Sequence, residues 1–77
     1  MAKKIRTTEI KTATDLGAAI RQARIHKRLT QRQLALSVGT GERFIVDLEN
    51  GKETARLGMA LMVARALGLN PSVRSRE

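Results

Sequence analysis

The chain has 77 residues, enough for one small domain with a modest core. Fifteen Lys and Arg against seven Asp and Glu leave a net charge of +8, which points to an anionic partner, although basic residues also serve plain solubility. Phe44 is the only aromatic residue, His26 the only histidine, and cysteine is absent; this excludes a base-stacking platform for single strands, a disulfide framework and a Cys/His metal centre.

In chain order, residues 1–12 are polar and basic, with Ile5, Thr7 and Glu9 alternating against Arg6, Thr8 and Ile10 as in a strand. One short strand is not stable alone in water, so this segment is either a basic arm or half of a pairing across a dimer. A first helix is predicted from near Thr14, whose hydroxyl caps it with Asp15 in the first turn, to about Lys27, through Leu16, Ala19, Ile20 and Ala23. Lys and Arg gather at its far end, where the helix dipole favours cations.

Thr30 followed three residues later by Gln33 makes a capping box, so a second helix starts at Gln31. Leu34, Ala35 and Val38 give it one narrow apolar face, and Gly39 ends it. Gly41 stands where the third helix needs its N-cap. That helix runs from about Glu42 to Asn50: Phe44, Ile45 and Leu48 form the buried stripe, Glu42, Arg43, Val46 and Asp47 point elsewhere, and Asn50-Gly51 is the stop. Two helices joined so tightly cross steeply, the arrangement of a helix-turn-helix that lays one helix in a DNA major groove.

The last helix is predicted from about Leu57 to Leu67, stopping at Gly68 with Pro71 beyond. Its core stripe is expected to be Leu57, Ala60, Leu61, Ala64 and Leu67. Met59, Met62, Val63 and Ala66 are apolar as well, and a helix apolar nearly all round is buried on more than one side. In so small a domain the second side needs a neighbour, most simply a homodimer contact. The domain is thus expected over 13–70, between an arm at 1–12 and a tail at 71–77.

No apolar run has the length of a membrane span and the N-terminus has no hydrophobic region of a signal, so a cytoplasmic protein is expected. No serine or cysteine nucleophile has a histidine within reach, and no glycine-rich loop is present to cradle a nucleotide. Asp47 and Glu49, two apart on a helix, face different directions. Neither catalysis nor a cofactor is expected.

From Leu16 to Leu69, the segments LGAAIRQAR, LTQRQLA, VGTGERFIVDLENGK and ARALGL resemble the Cro/C1-type (XRE) helix-turn-helix family, which includes the lambdoid phage repressors. The combination of DLG, RFIVDLENGK and ARALGL is most similar to HipB-type antitoxins. The resemblance implies an all-α, compact four-helix lambda-repressor-like domain. It further implies a homodimer that binds double-stranded operator DNA, represses its own operon and holds a HipA-type Ser/Thr kinase toxin. A phage-type repressor without a toxin, or a helix-turn-helix fold used mainly to bind protein, are the alternatives.

For individual residues, the resemblance implies an internal ion pair between Arg24 and Glu49, and a phosphate contact at Gln31. Glu49 at the edge of the apolar stripe gives the same hint, because it is costly to bury unpaired. Arg32, Asn50 and Lys52 are further phosphate candidates, each with the rival reading of a solvated surface group. Base reading falls to Gly41, Glu42, Arg43 and Asp47. Arg43 can pair with O6 and N7 of guanine, and Glu42 can accept from cytosine N4. Ile5, Met59, Met62, Val63 and Ala66 are the dimer or partner candidates. Two departures from the family stand out. Glu42 and Asp47 put acids where uncharged or basic residues are usual, and Arg28 replaces a common glycine, which predicts a different turn there and an added phosphate contact.

Overall fold

The computed structural model describes residues 7–76. Four helices follow one another, α1 Ala13–His26, α2 Gln31–Val38, α3 Glu42–Glu49 and α4 Leu57–Ala66. Among the described residues there is no strand, and Thr7 to Lys11 run exposed without regular structure. Ile5 and the first half of the expected strand lie outside the described residues.

The start of α1 corrects the sequence reading. Thr12, not Thr14, is the N-cap: its hydroxyl accepts the Asp15 N–H at 3.1 Å while the Asp15 carboxylate accepts the N–H groups of Lys11 and Thr12 at 2.9 and 3.1 Å. A cap at Thr14 would satisfy one orphan N–H; the reciprocal box satisfies more, so the helix begins earlier. The Lys11 backbone bond is the largest influence holding the Asp15 carboxyl below its ordinary range. The cap therefore contributes its full stability above the ordinary carboxylate pKa and loses it progressively as pH falls from there through the lowered folded value.

All four helices end on a residue in the left-handed region, Arg28 (φ 60°), Gly39 (76°), Gly51 (82°) and Gly68 (83°). The next N–H in each case reaches back to a carbonyl of the last turn: Leu29 to Arg24 at 3.2 Å, Thr40 to Ala35, Lys52 to Asp47 and Leu69 to Ala64, each at 3.0 Å. These are Schellman closures, which satisfy orphan carbonyls and turn the chain sharply. Three use glycine and one does not. Arg28 does not produce a different turn; it holds the glycine-type turn in spite of its Cβ.

Each helix contributes one large, fully buried side chain to the core, Ile20, Leu34, Ile45 and Val63, with Ala35, Leu48, Ala60, Ala64 and Leu67 around them. α3 packs against both α1 and α2, and α4 against α2. The closest approach is at Gly17, where a Cβ would collide with the Leu48 carbonyl oxygen and lie 2.7 Å from that of Glu49. α1 thus rests directly on the last turn of α3.

On α4 the buried stripe is Ala60, Val63, Ala64 and Leu67, rotated from the one expected. Leu57 is 67% exposed and Leu61 half-buried. Periodicity could not separate the two stripes because nearly every position on this helix is apolar. Val63 fills the core and is removed from the partner candidates; Met62 and Ala66 are exposed and Met59 is half-buried.

A left-handed residue carrying a Cβ costs about 1 kcal/mol, part of which glycine returns through its freer unfolded state. Arg28→Gly is therefore expected to raise stability by about 0.5 kcal/mol, read from urea unfolding; a loss of stability would show that the Arg28 side chain supports the turn.

Candidate nucleic-acid interface

Two side-chain clusters lie on opposite sides of α3. The buried one is centred on Glu49, whose side chain is 2% exposed. Arg24 Nε donates to Glu49 Oε2 at 2.6 Å and Arg24 Nη2 to Oε1 at 3.1 Å. Arg24 Nη1 donates to the Leu29 carbonyl at 2.8 Å, and Gln31 Nε2 donates to Glu49 Oε1 at 3.1 Å. One carboxylate thus joins α1, the α1–α2 loop and the first residue of α2 to the last turn of α3. The forked, two-point pairing satisfies both carboxylate oxygens, the condition under which a buried charge is tolerated. Gln31 is accordingly a member of this internal network as well as a phosphate candidate, since one amide N–H is committed to Glu49.

The exposed cluster runs along the outer face of α3. The helix starts at Gly41 without a side-chain cap, so free N–H groups stand at its N-terminus. Gly41, Glu42 and Arg43 are exposed. One turn on, the partly sheltered Asp47 carboxylate meets Arg43 Nη2 at 3.2 Å on one oxygen and Lys52 Nζ at 3.6 Å on the other. Asn50 and Lys52, just past the helix, are exposed, as are Arg28 and Arg32 at the approach to α2. The structure therefore unites Arg43, Asp47 and Lys52 in one cluster and leaves Arg28 and Arg32 near the start of the other helix of the motif.

Three features escaped sequence reading. Gly17 carries no side chain for a periodicity to register, yet it sets how closely α1 approaches α3. The Thr12–Asp15 box was present in the spacing but was overshadowed by Thr14. The link from Gln31 to Glu49 joins residues eighteen apart, and only the crossing of α2 and α3 brings them together.

Removing Arg24 strands a buried carboxylate. Arg24→Ala is expected to lower unfolding free energy by about 3 kcal/mol, with a much smaller effect on DNA affinity measured well below the melting temperature. Melting like the wild type would mean that the pair contributes nothing to the fold.

The helix-turn-helix family matches residues 20–73 of the chain. An uncharacterized HTH-type transcriptional regulator, y4mF of Sinorhizobium fredii, is 51% identical over 59 residues, covering 77% of this chain and 78% of the relative. Among solved structures, a HipB–O4 20mer complex superposes with a TM-score of 0.82 at 22% identity, covering 92% of this chain and all of that one. HipB in a HipA–HipB–O2–O3 complex gives the same TM-score and coverage, likewise at 22% identity. At that identity the structural likeness speaks for the fold. No helix among the described residues is long and apolar enough to cross a membrane. By the family match over most of its length, the relative's identity and this four-helix architecture, the chain belongs to the Cro/C1-type (XRE) helix-turn-helix family, a class of DNA-binding regulators and not of enzymes.

Proposed function

We propose that this protein is a cytoplasmic operator-binding repressor that acts as a homodimer and serves as a HipB-like antitoxin to a HipA-type Ser/Thr kinase. The observation that carries the DNA reading is the outer face of α3. Its inner face is locked by Ile45, Leu48 and Glu49, while Gly41, Glu42, Arg43 and Asp47 are presented as one surface at its free N-terminal end and outer side. A helix held so firmly on one side and so bare on the other fits a major groove, where base edges are read by side chains of the first turns.

In this reading Arg43 pairs with guanine and Glu42 accepts from cytosine. Gln31, Arg28, Arg32, Asn50 and Lys52 hold phosphates and set register without specifying sequence. The domain at 13–70 is the DNA-binding unit. The N-terminal arm, with Ile5, and the outer α4 face of exposed Met62 and Ala66 with half-buried Met59 supply the dimer or partner contacts. Two recognition helices must then lie about 34 Å apart to read a palindrome. HipB structures with 20-mers and with HipA support the antitoxin half through likeness of fold.

Arg28, Arg32 and Lys52 give about six cationic phosphate contacts per dimer, so the logarithm of affinity for the duplex upstream of its own gene should fall with log salt at a slope of about −5. Lys52→Ala removes one contact per subunit and should flatten that slope by about 2. Flat salt dependence, or no binding at low salt, would leave the protein-binding use of the fold. The toxin half is checked by co-expression with a kinase encoded in an adjacent reading frame. A stable complex is expected, and its absence would reduce the function to repression alone.

A further inference from the structure

Asp47 is out of keeping with a duplex-binding surface. On a chain of net charge +8 it sets a carboxylate in the middle of the face offered to a polyanion. Stability does not account for it, because an exposed i,i+4 pair contributes little to folding. What it does do is geometric. Arg43 is 82% exposed and Lys52 54% exposed, and the 23%-exposed Asp47 carboxylate holds both, one on each oxygen. The long Arg43 side chain is thereby drawn along the helix toward its C-terminal end.

We infer that Asp47 is the specificity-positioning residue of this interface: it fixes the reach of Arg43 and repels any base edge that offers only acceptors. The inference rests on the DNA reading above. In the major groove guanine and thymine present acceptors, whereas cytosine N4 and adenine N6 present donors. With Arg43 on O6 and N7 of a guanine, the neighbouring carboxylate is accommodated where the next base pair turns a donor toward it. Opposite an acceptor it is left unpaired and repelled. Asp47 thus lowers binding to every duplex through its charge, and lowers it most for the wrong ones, which is how a repulsive element raises specificity. In the free protein it also engages Lys52, which exchanges this partner for a phosphate when the duplex binds.

The test uses Asp47→Asn, which keeps the shape of the side chain and removes its charge. Affinities are measured for a short duplex selected by the wild type from a random-sequence pool and for the unselected pool, with thermal melting as a fold control. The variant is expected to bind the unselected pool about fivefold more tightly and to lose about tenfold of the selected-to-unselected ratio, the size of one good base contact. In an Arg43→Ala background the same change should alter the ratio much less, because the arginine it positions is gone. An unchanged ratio, or an equal weakening for both duplexes with a lowered melting temperature, would overturn the inference and leave Asp47 a structural residue. Failure of the wild type to bind either duplex at low salt would overturn the DNA reading itself.

Discussion

The Glu49 side chain is buried at the meeting point of three helices, and the geometry of the helix-turn-helix follows from how its two oxygens are satisfied. Arg24 pairs with it from α1 at 2.6 and 3.1 Å, Gln31 donates to it from the first residue of α2, and Arg24 also ties down the Leu29 carbonyl in the intervening loop. An eight-residue helix is too short to be stable in isolation. Its pose is set from outside, by Ile45 and Leu48 in the core and by Glu49 at its end. Hydrophobic burial alone would leave α3 free to roll by a fraction of a turn, whereas directional bonds to two other helices do not.

Around that junction the chain turns economically. Every helix closes on a left-handed residue, and the close contact at Gly17 brings α1 onto the carbonyls of the last turn of α3. The turn at Arg28 accepts backbone strain to put a cation beside the start of α2, at the edge of the proposed phosphate track. Strain retained at an exposed arginine, where glycine would relieve it, agrees with a role for the side chain outside the fold.

Two of the three acidic residues of α3, Asp47 and Glu49, divide by depth into two kinds of work. Glu49, sealed from solvent, is neutralised by the forked guanidinium and acts on architecture. Asp47, partly exposed, is shared between Arg43 and Lys52 and acts on the surface proposed to meet DNA. Two carboxylates two residues apart on a short helix necessarily face different ways, and the same helix thereby takes its orientation from one acid and shapes its charge pattern with the other.

Much of this was legible in the sequence because it is local. The Thr30–Gln33 box, the stops at Gly39, Gly51 and Gly68, and the Ile45–Leu48 stripe are written in neighbouring residues, and the basic surplus with a single aromatic residue pointed to duplex DNA. Where local signals tied, tertiary packing decided. α4 is apolar on nearly every face, so only docking chose Val63 over Leu57 for the core. Thr12 and Thr14 both offer a hydroxyl, and the reciprocal bond with Asp15 selected the first. That Arg28 keeps a glycine's conformation, that Gln31 reaches Glu49 and that Asp47 holds two cations depend on angles between elements, which spacing along a chain does not encode. Neighbouring residues were enough to place the helix ends to within a residue or two and to mark the helix-turn-helix class. Which side chains are sealed and which acid orients α3 emerge only in the folded arrangement, because both are set by how the helices cross.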